Sequence, residues 1–555
     1  MKRASAGITC FFLGLLFVFF SLSALGQSAE SQLPNAQPGK SQPAAFDAAE
    51  IDPSAHRTYQ YMRGPTFSGD RYIIKDATMI DLISTAYDIQ DESSILGGPA
   101  WLEIDRFDVT AKLPPDTPPD AEKQMLQALL ADRFKLVTHH DSKPLQAYLL
   151  ELGKGKPKLN ASDGSQNTGC QGQQQNPQPA IPTIVVSCHN MTMAAFADAV
   201  HDMAGGYLTD GPVVDTTGLQ GAWDFDLKWT PRGALARAGD DGISIFNAVD
   251  QELGLKLELK TAPQPVLVVD SVSEKPTPNA ADIAKVLPPL PPMQFDVAVI
   301  NPSKPDEPER GRIDGGQLSV QGLSMKFLID FAWDLNGNDD QMLVNAPKWL
   351  DTEKFDVLAK ADIAPPANGK RNAEQIDQDD LEAMLRTLLI DRFQMTVHME
   401  DRPVTAYTLV ADNPKLTKGD PNVRTRCKEG PGPDGKDPRL SNPVLNRLVT
   451  CQNMTMAEFA NELQDLVPGY IFTPVKDATG LDGGWDFTLW FSGAGQLPGA
   501  QPPTGGAPNG TASEPTGALS LFDAIQKELG LKLVKETRPA PVLVIDHIDE
   551  QPTPN

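Results

Sequence analysis

Two histidines, two pairs of aspartates and two pairs of cysteines are the residues of this 555-residue chain whose types and placement could do chemistry. His139 and His398 each follow an Asp-Arg-Phe triplet, Asp215 and Asp477 sit in Asp-Thr-Thr-Gly and Asp-Ala-Thr-Gly, and Asp224 and Asp486 sit in Trp-Asp-Phe. An imidazole near a carboxylate can act as a general base, and two carboxylates across a cleft can cleave a glycosidic bond. A hydrolase of cell-envelope or extracellular polymer would therefore use Asp215/Asp477 or Asp224/Asp486 with His139/His398. Each residue also has a plainer use: a strand-end histidine, a turn-forming aspartate, a strand aspartate on a half-buried face. Trp101, Trp223, Trp349 and Trp485 could stack on sugars, but at strand positions or after Pro their spacing suits a core. No GxSxG, HExxH, Walker or GxGxxG pattern is present, so no catalytic residue and no cofactor is assigned.

The cysteines speak of compartment. Cys170 and Cys188, then Cys427 and Cys451, bracket polar loops, and in an exported chain such pairs are expected to be disulfides that each contribute about 3 kcal/mol by loop-closure entropy. Neither pair has CxxC spacing, and His189 beside Cys188 is Gln452 in the other pair, so no metal is expected.

These residues recur because the chain is duplicated. Five ungapped blocks pair 99–112 with 347–360, 129–134 with 388–393, 188–197 with 451–460, 212–225 with 474–487 and 252–257 with 528–533, identical at 37 of 50 positions. Phe46-Asp-Ala-Ala-Glu-Ile-Asp-Pro-Ser54 matches Phe295-Asp-Val-Ala-Val-Ile-Asn-Pro-Ser303, and Pro276-Thr-Pro-Asn279 matches Pro552-Thr-Pro-Asn555. One copy thus runs 46–279 and the other 295–555, joined by a Pro-rich linker at 280–294. Helical spacing after Thr78 (Met79, Leu82, Ile83, Ala86, Tyr87) recurs after Ser324, and Thr455 with Glu458 and Ser520 with Asp523 suit capping boxes. Gly254 and Gly530 suit left-handed helix ends. Trp223–Trp229, Leu255–Leu259 and Pro265–Val269 read as strands, and Glu122–Leu152 as a helix followed by two strands. The expected fold is α+β: two tandem homologous modules, each of two small layers with helices on a mainly antiparallel sheet, with long Pro/Gly-rich loops. The loop at 493–517 is expected to be disordered.

Lys2 and Arg3, the uncharged run from Ile8 to Leu25, and Ala24-Leu25-Gly26 predict a signal peptide over 1–26, the alternative being an uncleaved anchor. A disordered Pro/Gln-rich spacer then covers 27–45. Cleavage leaves four cysteines and, by removing two positive charges, shifts the net charge from −25 to −27. Forty-eight Lys and Arg against 73 Asp and Glu argue against nucleic acid or an anionic membrane as partner, and no later stretch is apolar enough to span a bilayer.

Gly97-Gly-Pro-Ala-Trp-Leu102 with Arg106-Phe-Asp-Val109, Leu129-Leu-Ala-Asp-Arg-Phe-Lys-Leu136, Pro212-Val-Val-Asp-Thr-Thr-Gly-Leu219 with Trp223-Asp-Phe225, Glu252-Leu-Gly-Leu-Lys-Leu257 with Val266-Leu-Val-Val-Asp270, and Phe295-Asp-Val-Ala298 with Asn301-Pro302-Ser303 resemble a soil-associated bacterial family of exported proteins catalogued as a domain of unknown function. The chain departs from the pattern at Asn345-Ala346-Pro347 and Lys476. The resemblance implies export and a small α+β module, with no catalytic residues to carry over. Some relatives look like the extracytoplasmic part of membrane metallopeptidase sensors of the antibiotic-response type, and the helix-strand-strand units resemble small periplasmic domains of secretins and outer-membrane transporters at fold level. The expected function is a non-enzymatic extracytoplasmic binding, sensing or interaction module, periplasmic or secreted, for an unidentified envelope or extracellular ligand or protein.

Overall fold

The repeated structural event is an alternating strand that runs through a bulge into a capped amphipathic helix. The computed structural model describes residues 45–554 except 56, 58–59, 116, 119, 174–180, 209–210, 291–292, 305–307, 315, 336–340, 362–375, 433–435, 443, 468 and 498–516. The expected signal peptide, nearly all of the expected spacer and most of the 493–517 loop lie outside the described residues. In the first copy β1 (Ala48–Pro53), β2 (Arg63–Ser68) and β3 (Arg71–Thr78) lead to α1 (Met79–Tyr87), followed by β4 (Ile95–Gly97), β5 (Arg106–Lys112), α2 (Ala121–Arg133) and β6 (Val137–Leu152). The same order then returns: β7 (Asn160–Ala161), β8 (Gly169–Gly172), β9 (Ile184–Met191), α3 (Met193–Met203), β10 (Val213–Asp215), β11 (Trp223–Trp229), an extra α4 (Arg232–Ala238), α5 (Ile245–Ala248) and β12 (Leu255–Ser271). Each copy is therefore itself two halves of one topology.

The sheets show how the halves are joined. One half forms β1-β5-β3-β2 and the other β7-β11-β9-β8, the same strand order. A third sheet, β10-β6-β12-β4, combines them: the long strands β6 and β12 pair antiparallel, β4 of the first half lies parallel to β12, and β10 of the second lies parallel to β6. Leu267 and Val269 of β12 accordingly enter the core of the first half, while Tyr148 and Leu150 of β6 enter that of the second. Residues 137–152 and 255–271 are one strand each rather than the two expected in each segment. Around Pro263, β12 is paired on the β6 side alone, so a proline nitrogen can face outward without removing a ladder hydrogen bond.

The second copy repeats the plan. After α6 (Ile283–Val286) in the linker come β13 (Val297–Pro302), β14 (Arg310–Asp314), β15 (Gln317–Ser324), α7 (Met325–Ala332), β16 (Leu343–Val344), α8 (Trp349–Thr352), β17 (Lys354–Lys360), α9 (Gln378–Arg392) and β18 (Thr396–Ala411). Its second half holds β19 (Thr417–Lys418), β20 (Arg426–Glu429), β21 (Arg447–Met454), α10 (Met456–Leu466), β22 (Lys476–Asp477), β23 (Trp485–Phe491), α11 (Leu521–Ala524) and β24 (Leu531–His547). The sheets are β13-β17-β15-β14, β19-β23-β21-β20 and β16-β24-β18-β22.

Local sequence explains the joints. Thr78, Thr192, Ser324 and Thr455 cap the helices after the bulges, with full capping boxes at Thr78–Asp81 and Thr455–Glu458. Gly254 and Gly530, in the repeated Glu-Leu-Gly-Leu-Lys-Leu, have φ of 67° and 65° and end a short π-helical turn. A Cβ there would come within 2.7 Å of the Lys156 carbonyl or collide with that of Asn413, so both the conformation and the close approach require glycine. Arg133, in the Asp-Arg-Phe motif, donates to Thr277 O at 2.6 Å, Asn279 Oδ1 at 2.7 Å and Ala49 O at 3.1 Å. Arg392 repeats the latch on Thr553 O and Ala298 O, so the Pro-Thr-Pro tails are sewn onto β1 and β13.

Each bulge is held by an aspartate of the neighbouring strand. Asp76, Asn190, Gly322 and Asn453 have φ of 55°, 51°, 65° and 47°, and their amides donate to Asp108, Asp224, Asp356 and Asp486 at 2.7–2.9 Å. Ser54 and Ser303 add hydroxyl donors to Asp108 and Asp356. Removing one of these acceptors leaves a half-buried amide unmatched, which costs about 1–3 kcal/mol. Asp224→Ala and Asp486→Ala are each expected to lower the unfolding free energy of the full chain by about that amount, measured by urea denaturation.

Candidate functional site

The structure gives the candidate aspartates local hydrogen-bonding tasks. Asp215 Oδ1 accepts from the Thr217 amide at 2.9 Å and its hydroxyl at 2.8 Å, and Asp477 Oδ1 accepts from the Thr479 amide at 2.8 Å, as turn aspartates do. Asp224 and Asp486 are the bulge clamps just described. His139 Nδ1 lies 2.9 Å from Asp270 Oδ2 and His398 Nδ1 lies 2.8 Å from Asp546 Oδ2, partners that matching motifs alone did not suggest. Both histidines are about half exposed, on the ribbon surface.

The histidines are not brought to the aspartates. His139 is near the start of β6, whereas Asp215 is paired at Leu150, eleven residues along the same strand, or roughly 36 Å. His398 and Asp477, paired at Leu409, stand in the same relation. Within each copy the pairing of His139 with Asp215, or of His398 with Asp477, is therefore not assembled, because a strand carries its two ends apart, and Asp224 and Asp486 are engaged by the bulge amides. Trp101, Trp223, Trp349 and Trp485 each pack, partly buried, on one of the four cores. The Sγ atoms of Cys170 and Cys188 are 1.99 Å apart and those of Cys427 and Cys451 1.93 Å; each disulfide ties an edge strand, β8 or β20, to the residue directly opposite it.

A different set of residues meets where the two copies join. Arg57 donates to both Glu382 carboxylate oxygens at 2.7 Å and pairs with Asp379; Arg63 reaches Asp379 at 2.9 Å and Asp377 at 3.2 Å; Lys75 reaches the same two at 2.9 and 3.0 Å. Three cations of the first copy thus grip the acidic N-terminus of α9, where negative side chains already suit the helix dipole. A second contact runs the other way. Arg424, 9% exposed, donates to Ile95 O at 2.7 Å and lies 3.2 Å from Glu103, while the Thr425 amide donates to Ala100 O at 3.1 Å. Ile104 packs against the core that contains α10.

Beside the first of these contacts lies a cleft of about 300 Å³ lined by Arg57, Arg63, Arg386, Asp76, Asp108, Asp334 and Glu382 among others. Asp76 is its unusual member. It is 2% exposed, Oδ2 accepts from the Tyr61 amide at 3.0 Å, and Oδ1 has no hydrogen-bond donor, with Arg106 Nε no nearer than 4.0 Å. Burial pushes its carboxyl up, with Arg106 opposing. Asp76 also carries a side chain at a left-handed bulge where the second copy has Gly322. On α10, Asp465 Oδ1 is likewise buried without a donor. Desolvation first, then Glu462, raise its carboxyl to about 7; Arg106 opposes, and Asp76 and Asp334 add to the rise. Among the described residues no group of three acidic, histidine or cysteine side chains is placed to hold a metal ion.

This is an α+β protein of two tandem, internally symmetric modules, with charged residues of both copies at their junction. It belongs to the family described as protein of unknown function DUF3738, which matches residues 80–272 and 326–548, one segment in each copy. No curated protein and no solved structure matches the chain. Among the described residues no helix is long and apolar enough to cross a membrane.

Matching between copies does not point to Asp76, Arg57 or Glu382, since none of them recurs; Arg63 and Asp465 do recur, as Arg310 and Asp202, but with nothing to mark them as junction residues. The usable signal was the opposite one: a place, such as Asp76 against Gly322, where two otherwise parallel segments diverge in charge. The junction itself can be tested at Glu103. Glu103→Gln strands the buried Arg424 charge and is expected to cost about 2–3 kcal/mol after discounting for the partial exposure of Glu103. Urea unfolding of the full chain then separates into two transitions in place of one.

Proposed function

We propose that the protein is a non-enzymatic extracytoplasmic binding or sensing protein whose ligand, a small organic cation bearing N–H donors, sits in the cleft between the two copies. The observation that carries this reading is the pair of carboxylate oxygens, Asp76 Oδ1 and Asp465 Oδ1, buried at the junction without donors. A buried, unmatched carboxylate oxygen is costly, and a cationic donor removes that cost where water and the protein do not. Asp76 lines the cleft and Asp465 lies close enough behind it to interact with Asp76 and Asp334, and a guanidinium or ammonium group suits acids gathered from several elements without converging on one point. The cleft volume is at the small-molecule end of ligand pockets, and a net charge of −25 steers cations toward the chain. The expected signal sequence and the disulfides support a place outside the cytoplasm.

The test is a thermal-shift titration of the mature full chain with agmatine, putrescine and methylguanidinium, using NaCl at equal ionic strength as control. At least one organic cation is expected to raise Tm saturably. Asp76→Gly is expected to abolish that response with little net change in its own Tm, since the relief of the left-handed bulge is offset by the lost acceptor of the Tyr61 amide. Failure of all three cations to exceed NaCl would remove the reading, as would an undiminished response in Asp76→Gly.

The pH dependence has a defined sign. Asp465, facing Glu462 on its own helix, Arg106 and Asp76 on the first copy and Asp334 on the second, holds its proton up to about 7 instead of its ordinary 3.8. The folded state then binds more protons than the unfolded one between those values, so this group's contribution to unliganded stability falls as pH rises from about 4 to about 7. Cation affinity runs the other way, strengthening from pH 5 to pH 8 as the carboxyl ionises. Asp465→Asn flattens both profiles; calorimetric titration at several pH values checks them.

A further inference from the structure

Because the two copies share one fold, each surface of one can be compared with the same surface of the other. The edge hairpins differ. In the first copy β2 contains the cis Gly64–Pro65 peptide and a register shift against β3, so Pro65 removes a donor from the sheet edge. Met62, just before β2, packs on the first-half core with its sulfur 3.9 Å from Thr85 Oγ1 on α1, and Phe67 packs there too. In the second copy β14 pairs with β15 in unbroken register, carries no proline, and is exposed along its whole length. The connection that brings in Met62 is nine residues, 54–62; its counterpart is seven, 303–309, and contains no large apolar residue.

The helix beneath has changed in step. Three and seven residues after the cap, α1 carries Asp81 and Thr85, whereas α7 carries Phe327 and Phe331. Asp81 completes a capping box; Phe327 gives that up and stands 51% exposed. The result is a groove of about 340 Å³ between β14, β15, α7 and α9, walled by Ile313, Val320, Leu323, Phe327, Phe331 and Leu385. Arg310 on its rim is exposed and makes no ion pair among the described residues. Forfeiting the reciprocal bond of a capping box to expose an aromatic ring, beside an open strand edge, marks a surface that is covered by something.

The geometry points to an extended segment of a partner polypeptide as the occupant: it adds a strand to the open edge of β14, inserts an apolar side chain into the groove as Met62 does in the first copy, and places an acidic residue against Arg310. Main-chain hydrogen bonds to the edge supply affinity and the groove supplies specificity. This surface belongs to the first half of the second copy and is independent of the cation cleft.

Fluorescence anisotropy with a labelled synthetic peptide, Glu-Val-Thr-Met-Val-Val-Glu, and the full chain tests the assignment. Saturable binding is expected, weakened about tenfold or more by Phe327→Asp, which removes the apolar wall and restores the residue of the first copy, and similarly by Gly311→Pro, which blocks the edge. A Lys-flanked version of the peptide binds more weakly to the wild type, and Arg310→Ala erases that preference. Three results would overturn the proposal: no saturable binding, binding indifferent to both substitutions, or protection from hydrogen exchange, in the unliganded monomer, of those β14 amides that face away from β15, which would place a segment of the same chain on the edge. Concentration-dependent dimerisation abolished by Phe327→Asp would assign the groove to a second copy of the chain and equally overturn it. Unchanged urea midpoints of the two variants exclude misfolding as the cause of lost binding.

Discussion

The interaction on which the rest of the structure depends is a single hydrogen bond made four times, from the amide of a left-handed bulge residue to an aspartate on the adjacent strand. A bulge turns one amide out of the ladder, and a half-buried amide must find another acceptor. Asp108, Asp224, Asp356 and Asp486 supply it, and two residues later each strand hands over to a capped helix. The clamp thus sets both where the strand bends and how the helix leaves the sheet. That is why Phe-Asp-Val and Trp-Asp-Phe survive in both copies.

From four such units the chain builds two intertwined modules. In each copy the long ribbon strands carry side chains into the core of the opposite half, and the short parallel edge strands cross over as well. Neither half retains its full core alone, so a copy behaves as one folding unit despite its internal symmetry. The arginine latches then fasten the tail after β12 to β1, and the tail after β24 to β13, closing each module.

The junction follows a different logic. The two copies meet through unlike surfaces: Arg57, Arg63 and Lys75 of one against the acidic turn of α9 in the other, and Arg424 of the second beneath β4 of the first. A contact between unlike faces makes opposite demands on corresponding positions, so duplication cannot preserve it in both copies. Lys75 is Gln321 and Asp76 is Gly322 for that reason. The strained Asp76 and Asp465, each with a buried Oδ1 that has no donor, both lie at this junction, a cost that stability alone does not explain.

Much could be read from the residues alone: the duplication, the helix starts at Thr78, Ser324 and Thr455, the glycine-ended turns, the cysteine pairing and the α+β class all rest on short-range spacing or on matching segments. These are local or repeated features, and local sequence carries them. Leu255–Leu259 and Pro265–Val269 read as separate strands because one alternates and the other is continuously apolar, and only strand order shows one ribbon strand whose prolines fall where a missing donor does no harm. The aspartates of the shared motifs looked chemical because they recur, yet they recur for structural reasons. The cleft, the orphaned carboxylates and the open groove were decided by tertiary structure, since each depends on what a residue's neighbours from the other copy, or from a shortened loop, do or do not supply.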